Sequence, residues 1–208
     1  TDIVIAAATR TPIGSFSGSL SGLQASALGE VVIRSVLERA KVDAAEVDEV
    51  IMGQILTAGC GQNTARQAAV NAGIPASATA MAINQLCGSG LRAVALGMQA
   101  IKNGDASIII AGGQESMTNA QHTAHLRNGT KMGSLEFLDT MLKDALTCAF
   151  NGYHMGNTAE NVAEKWQLTR EEQDAFAVAS QNKAEAAIKA GKFKDEITPV
   201  KIMVKKEE

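Results

Sequence analysis

The sequence Asn-Gln-Leu-Cys-Gly-Ser-Gly, at positions 84 to 90, joins a predicted strand to a predicted helix. The strand is an apolar segment from Thr79 to Leu86, whose pattern is typical of a buried strand. The helix, from Leu91 to Lys102, repeats its apolar residues at helical spacing. Two glycines within three residues favour a tight turn between these elements. The segment therefore predicts a sharp strand-to-helix turn with Cys87 at its corner.

The alternation of strands and helices continues on both sides of this turn. Strands are predicted at residues 3–8, 50–56 and 107–111, and helices at 24–40 and 63–72. Strands and helices that alternate in this way indicate parallel strand pairing with right-handed crossovers. The predicted fold class is therefore α/β, a mostly parallel mixed sheet with helices on its faces.

The pattern changes after Glu115. Residues 116–156 contain polar clusters, glycines and short apolar stretches, which indicate an inserted loop region that is partly helical between positions 135 and 149. Regular structure resumes with two helices and ends with a strand; these are predicted at 158–167, 169–190 and 197–204. Thr169 and Glu172 have the spacing of a helix capping box. Three segments result, and they are 1–117, 118–156 and 157–208.

Composition excludes several classes of function. The formal net charge is -3, with 19 basic and 22 acidic residues, so the chain has no basic excess for binding nucleic acid. No stretch approaches the length of a membrane-spanning helix, and the first residues lack the basic region of a signal peptide, so we expect a cytoplasmic protein with no membrane partner. The three cysteines lie far apart, which argues against a disulfide framework.

Cys87 is the strongest candidate for chemistry. The turn would place its sulfur near the first N–H groups of the helix, where those groups and the helix dipole favour a thiolate. The same N–H groups could stabilise the oxyanion that forms when a thiol attacks a thioester. A free cysteine is also commonly a small buried apolar residue, and the residue pattern alone leaves these two interpretations balanced.

Other candidate residues are weaker. His122 and His125 have no carboxylate beside them, so no metal site is predicted. Gly112-Gly113 is not followed by the Gly-Lys-Ser/Thr of a phosphate loop and more simply indicates close backbone packing. Arg66 and Glu115 are interpreted as structural partners near the turn or in a subunit contact. Cys60 and Cys148 lie in no comparable turn, so we interpret both as non-catalytic and expect Cys87 to be alkylated first.

Five segments of the chain resemble the signature segments of the thiolase family, in that family's order. They are Arg-Thr-Pro-Ile-Gly-Ser-Phe at 10–16, Gly-Gln-Asn-Thr-Ala-Arg-Gln at 61–67, Asn-Gln-Leu-Cys-Gly-Ser-Gly-Leu-Arg-Ala-Val at 84–94, Ala-Gly-Gly-Gln-Glu-Ser-Met at 111–117 and Tyr-His-Met-Gly at 153–156. The match runs from residue 3 to about 200 and is closest to the biosynthetic branch, which forms acetoacetyl-CoA. The resemblance implies a thiolase-like layered fold and the N-terminal half of such an enzyme.

The resemblance also implies an activity and its residues. Cys87 would attack acetyl-CoA and become acetylated, and a second acetyl-CoA, deprotonated at its methyl carbon, would take the acetyl group to give acetoacetyl-CoA in a reversible reaction. Leu146, His154 and Met155 would line the tunnel for coenzyme A, whose pantetheine arm needs apolar walls with a few polar points. His154 taken alone would more often be a structural histidine. No cofactor is implied, because the coenzyme A thioesters are substrates.

The partners that the resemblance implies are a homotetramer, with a tetramer-forming hairpin at 116–140, and a second half of the enzyme. That half carries Asn-Glu-Ala-Phe-Ala, Gly-His-Pro and Cys-x-Gly-Gly-Gly segments in thiolases, and no residue here matches them. We therefore expect this chain to be inactive without a C-terminal thiolase domain. The implied setting is fatty acid or polyhydroxybutyrate metabolism. Two alternatives remain, a ketoacyl synthase-like condensing enzyme and a non-catalytic half-subunit of a split thiolase.

Overall fold

A computed structural model describes residues 2–203 and contains a three-stranded parallel sheet. The strands are β1 (Glu49–Gly53), β2 (Thr79–Ile83) and β3 (Ile109–Gly113), in the spatial order β2-β1-β3. The central strand β1 pairs in parallel with both neighbours, so that Glu49 lies opposite Thr79 on one side and Ile109 on the other. The predicted α/β class with parallel pairing is confirmed.

Helices cover both faces of this sheet. They are α1 (Ala25–Ala40), α2 (Thr64–Asn71) and α3 (Ser89–Asn103). Val50 and Met52 of β1 belong to the hydrophobic core that α1 and α2 complete. Gly53, the next residue, instead faces the start of α3, where an added Cβ would meet Ser89. Because successive residues of a strand point to opposite faces, α3 lies on the other side of the sheet from α1 and α2.

Small residues decide which side of each helix faces inward. In α3 the buried residues are Ser89, Ala93 and Gly97, whereas Leu91 of the predicted apolar stripe is 78% exposed. In α1 the buried residues are Ala25, Gly29, Ile33 and Leu37, so two small residues face inward at its first two turns. A side chain at Gly97 would lie 3.2 Å from a methyl group of Ile109, so the helix approaches the sheet too closely for large residues there.

Two further helices follow the inserted region. They are α4 (Met155–Trp166) and α5 (Arg170–Lys189). The predicted capping box at the start of α5 is confirmed, because the Glu172 N–H donates to the Thr169 hydroxyl (3.2 Å) and the Thr169 N–H donates to the Glu172 carboxylate (2.8 Å). No side chain of α4 or α5 is buried against the rest of residues 2–203.

The inserted region contains two very short strands, β4 (His122–Thr123) and β5 (Leu138–Asp139), which pair antiparallel. The helical part predicted between positions 135 and 149 is a single π-helical segment at Met141–Leu146. Short 3-10 turns lie at Ala44–Glu46 and Met117–Asn119. Among the described residues, no helix is both long and apolar enough to cross a bilayer.

The predicted first and last strands are wrong. Residues 2–9 form no strand, and just after them a single parallel bridge joins Arg10 to Ile197. The Thr9 hydroxyl also donates to the Glu196 carbonyl (3.0 Å) and shares a hydrogen bond with the Thr198 hydroxyl (2.6 Å). Val4 and Ile5 are 75% and 77% exposed, so the apolar run is not buried here. The predicted last strand covers 197–204, of which residue 204 lies outside the described residues. An apolar run predicts a strand only where a neighbouring strand pairs with it along its length, and a single bridge does not provide that pairing.

Asp48 fastens β1 to the start of β3. Its carboxylate accepts the N–H groups of Ser107 (2.7 Å) and Ile108 (3.0 Å), which lowers the pKa of the Asp48 carboxyl. A carboxyl with a lowered pKa in the folded state stabilises the protein above its unfolded pKa, near pH 4, and this contribution is lost as the pH falls further.

We therefore expect Asp48→Asn to reduce the loss of stability between pH 5 and pH 3, because the asparagine does not titrate. Urea unfolding midpoints at several pH values in this range measure the effect. Asp105→Asn, at another exposed aspartate, is the control and should follow the unaltered protein. Parallel pH dependence of Asp48→Asn and the unaltered protein would contradict the assignment.

Candidate active site

Cys87 lies at the edge of the sheet where all three parallel strands end. Its side chain is exposed, and it follows the end of β2 by four residues and precedes the start of α3 by two. It borders a cleft of 340 Å³. The cleft is lined by the ends of β1 and β3 and by the turn, specifically by Gly53, Gln54, Ile55, Leu86, Cys87, Ser89, Gly90, Gly113, Gln114 and Glu115. The carboxyl edge of a parallel sheet is a common place for active sites in α/β proteins.

The turn is tight, but its glycines are not the residues that make it so. Leu86 has a φ of +49°, a left-handed conformation that is unfavourable for a residue with a Cβ. Gly88 and Gly90 have no positive φ, and an added Cβ at either would come no closer than 3.4 Å to another atom. The strand before the turn is also an edge strand that is largely exposed, not a buried one. Both expectations about the turn are thus corrected, while its position holds.

A set of hydrogen bonds fixes the backbone on the strand side of Cys87. The Gln85 N–H donates to the Ser89 hydroxyl (2.8 Å), and that hydroxyl donates to the Leu86 carbonyl (2.6 Å). The Leu86 N–H donates to the Asn84 side-chain oxygen (2.9 Å). Ser89 belongs to the 84–90 segment, but the sequence analysis assigned it no role. The signal was its place two residues after the cysteine, where a helix begins.

Glu115 forms one rim of the cleft. Its carboxylate accepts the N–H groups of Ile55 (2.9 Å) and Leu56 (3.3 Å), so it ties the chain after β3 to the chain after β1. Beside it, the Gln114 side-chain amide donates to the Gln54 side-chain oxygen (2.9 Å), and both side chains are buried. Arg66 lies elsewhere and donates to the carbonyls of Ala76 and Ala78, before β2. Glu115 and Arg66 both serve as structural partners.

Leu146, His154 and Met155 come together in one hairpin. Thr147 and His154 form an antiparallel bridge, which places Leu146 and Met155 on the two sides of the same hairpin, one residue beyond it. His154 also begins α4, where its Nδ1 accepts the Gly156 N–H (2.9 Å). Within residues 2–203, no residue of this hairpin lines the cleft beside Cys87. The structure thus groups the three residues predicted to contact coenzyme A, and none of them lines the cleft beside Cys87.

The other two cysteines differ sharply in their surroundings. Burial raises the pKa of the Cys60 thiol, and the Glu115 carboxylate nearby adds to that effect. Cys148 lies at the hairpin turn, where the backbone N–H and the side-chain amide of Asn151 both point to its sulfur at 3.4 Å. The backbone N–H groups of Asn151 and Phe150 lower the pKa of the Cys148 thiol. The Cys148 thiol therefore ionises more readily than its sequence context indicated.

These surroundings predict the order of thiol alkylation. At pH 7 we expect iodoacetamide to label Cys148 well before Cys60, because the thiolate is the reactive form and Cys60 resists ionisation. The expectation that exposed Cys87 reacts before both remains a prediction. Peptide mapping after brief labelling gives all three rates in one experiment. Labelling of Cys60 ahead of Cys148 would contradict the electrostatic account. Asn151→Ala removes only the side-chain amide and keeps the backbone N–H groups, so it should slow Cys148 slightly and leave the other two rates unchanged.

His122 of the inserted region lies beside a carboxylate. The His122 Nε2 lies 4.0 Å from the Asp139 carboxylate, as part of the β4-β5 pair. Among residues 2–203, no three histidine, cysteine, aspartate or glutamate side chains group closely enough to hold a metal ion.

The chain was compared with known protein families and with curated proteins. The family model described as "Thiolase, N-terminal domain" matches residues 3–208. The acetyl-CoA acetyltransferase of Rhizobium meliloti (strain 1021) is 65% identical over 204 residues, which are 98% of this chain and 52% of that protein. That of Shinella zoogloeoides is 65% identical over 96% of this chain and 51% of its own length. The cytosolic acetyl-CoA acetyltransferase of Rattus norvegicus is 56% identical over 98% of this chain and 51% of its own length. The chain thus spans about half the length of the curated relatives it matches.

Proposed function

The chain belongs to the thiolase family and corresponds to the N-terminal domain of its members, and we propose that it is the half of an acyltransferase that carries the nucleophile. The reaction proposed is the reversible condensation of two acetyl-CoA molecules to acetoacetyl-CoA and coenzyme A. The observation that carries the proposal is the exposed Cys87 thiol, which borders a cleft at the carboxyl edge of the parallel sheet. The similar proteins are named acetyl-CoA acetyltransferases, which supports the same substrate for this chain.

The first half-reaction needs a thiolate and a donor to an oxyanion. The Cys87 thiol gives its proton to a base that we assign to no residue of this chain, and the resulting thiolate adds to the thioester carbonyl of acetyl-CoA, whose oxygen becomes an oxyanion. The backbone hydrogen bonds of the turn use the N–H groups of Gln85, Leu86, Gly88 and Ser89, and the Cys87 N–H is not among them. That N–H is therefore the candidate donor to the oxyanion. When the oxyanion collapses, coenzyme A leaves as its thiolate and the acetyl group stays on Cys87.

The second half-reaction needs a base, which must take a proton from the methyl carbon of another acetyl-CoA. The resulting carbanion attacks the acetyl carbonyl on Cys87, acetoacetyl-CoA forms, and the Cys87 thiolate leaves. We assign this base to no residue of the chain. Since the relatives are about twice as long, we propose that a C-terminal thiolase domain supplies it and that the two halves form one working enzyme.

We further propose that Leu146, His154 and Met155 contact coenzyme A. Their grouping in one hairpin supports a shared role, because Leu146 and Met155 offer apolar surface and His154 offers a ring nitrogen. The proposed organisation is one N-terminal domain made of 1–117 and 157–208, with 118–156 inserted for tetramer formation and coenzyme A contacts. We propose a homotetramer that acts in acetyl-CoA metabolism in the cytoplasm, as the name of the rat relative suggests.

The test is to look for the covalent intermediate in the full-length gene product. Brief incubation with acetyl-CoA, followed by acid quench and peptide mapping, should find an acetyl group on Cys87, and adding free coenzyme A should remove it. Acetoacetyl-CoA should accumulate in the same mixture. Acetylation at another residue, or none during turnover, would overturn the proposal. A product other than acetoacetyl-CoA would favour the ketoacyl synthase-like alternative.

A further inference from the structure

Ser89 has a buried side chain at the start of α3, and its hydroxyl forms hydrogen bonds with two backbone groups of the turn. It is 4% exposed. Its hydroxyl accepts the Gln85 N–H (2.8 Å) and donates to the Leu86 carbonyl (2.6 Å). The Ser89 backbone N–H donates to the same Leu86 carbonyl (3.1 Å). Two groups of one residue therefore hold the Leu86–Cys87 peptide.

The direction of that peptide decides where the Cys87 N–H points. The peptide is planar and trans, so its N–H points opposite to the Leu86 carbonyl. Because Ser89 holds the carbonyl toward the start of the helix, the Cys87 N–H is turned away from it. The peptide units on either side of Leu86 are thereby fixed by different side chains, since Asn84 accepts the Leu86 N–H (2.9 Å).

The turn needs this restraint, because Leu86 has the unfavourable φ of +49°. Loss of the Ser89 hydroxyl would leave the Gln85 N–H without its acceptor and the Leu86 carbonyl with one donor fewer. Ser89 is also packed tightly against Gly53, where an added Cβ would lie 2.5 Å from the Ser89 Cβ.

We propose that Ser89 is a positioning residue for acyl transfer at Cys87, which aims the Cys87 N–H at the oxyanion through the Leu86 carbonyl. The inference rests on the proposed function of Cys87. When the sulfur adds to an acyl carbonyl, the electron pair moves to the carbonyl oxygen, and the Cys87 N–H donates to it. The pair returns when the thiolate of coenzyme A leaves. Alkylation by iodoacetamide displaces iodide from carbon and forms no oxyanion, so it does not need this N–H.

The test compares two reactions of one thiol in the full-length gene product. For Ser89→Ala we expect the rate of Cys87 acetylation by acetyl-CoA to fall about 10- to 100-fold, since one misdirected oxyanion donor costs somewhat less than its complete removal. The rate of Cys87 alkylation should stay within about twofold, and the acetyl-CoA concentration at half-maximal rate should change little. Equal losses in both reactions would show a merely structural role, and unchanged acetylation would also overturn the proposal.

A second pair of variants keeps the test valid if Ser89→Ala does not fold. Ser89→Thr and Ser89→Val add the same branch to the side chain, but only threonine keeps a hydroxyl. We expect the threonine variant to be acetylated at least about tenfold faster than the valine variant, at similar alkylation rates. Equal acetylation rates of the pair would overturn the proposal.

The acyl donor separates this inference from the proposed function. Acetylation of Cys87 by p-nitrophenyl acetate passes through an equivalent oxyanion, which collapses with loss of p-nitrophenoxide and does not involve coenzyme A. If the unaltered protein reacts with this ester but not with acetyl-CoA, the proposed function fails, and the Ser89 variants still decide the inference through the ester. If both donors acetylate the unaltered protein and all variants alike, only the inference about Ser89 fails.

Discussion

Replacing Cys87 with alanine in the full-length gene product should abolish acetoacetyl-CoA formation, with a loss of at least about 10⁴-fold in kcat. Removal of a covalent nucleophile leaves only binding and the remaining polar groups to promote the reaction, and losses of this size are usual for that change. Continuous absorbance of acetoacetyl-CoA and release of free coenzyme A measure the rate in both directions. Because the Cys87 side chain is exposed, we expect the variant to fold normally.

Cys60→Ala is the matched control for this experiment. It makes the same chemical change at a half-buried thiol that borders no part of the cleft with Cys87, so activity should stay within about twofold. Thermal unfolding of all three proteins would show whether any loss comes from misfolding. Condensation by the Cys87→Ala protein at the unaltered rate would end the proposed mechanism. Loss of activity in the Cys60→Ala variant alone would identify Cys60, and not Cys87, as the nucleophile.

The sequence was sufficient to predict the strand-to-helix turn and the parallel order of the strands around it. Both follow from local signals, since an apolar strand segment, a short connection and a periodic helix leave few ways to connect the chain. The capping box at Thr169 is predictable for the same reason, because its partners are three residues apart.

The inward faces of the helices were harder to predict. Apolar periodicity favoured Leu91 for the buried side of α3, whereas the sheet accepts only Ser89, Ala93 and Gly97 there. The reason is distance, since glycines on the sheet and the helix allow a close approach that large side chains would prevent. A pattern of apolar residues does not encode that distance. The run at 3–8 failed similarly, because it specifies no neighbouring strand.

The candidate site shows the same division between local and distant signals. The nucleophile could be found because the turn, the helix start and the cysteine are adjacent in sequence. The strain at Leu86 and the role of the Ser89 hydroxyl depend on side-chain directions that residue types do not fix. The thiolate-stabilising surroundings of Cys148 depend on a turn conformation at Asn151, which the polar composition of the region did not reveal.

Gly53→Ala should be the most damaging single methyl group that can be added near the site. Gly53 ends the central strand β1, and a Cβ there would lie 2.5 Å from the Ser89 Cβ, 2.8 Å from the Ser89 carbonyl carbon and 2.9 Å from the Gly90 nitrogen. Two of these atoms belong to the backbone at the start of α3, which cannot move without displacing the turn. We expect a destabilisation of about 3 kcal/mol, at the upper end of the usual cost of overpacking.

The effect should appear in two measurements on the full-length gene product. The thermal unfolding midpoint should fall by about 3–5 °C in a protein about twice as long as this chain, and the acetylation of Cys87 should slow because the start of α3 carries the turn with it. Gly112→Ala is the matched control, since Gly112 lies on the neighbouring strand and a Cβ there would meet nothing closer than 3.9 Å. Its midpoint should stay within about 2 °C of the unaltered protein, because alanine suits a strand at least as well as glycine. Equal midpoints for the two variants would show that α3 does not rest on Gly53, and the close contact that positions Ser89 and Cys87 would then have to be abandoned.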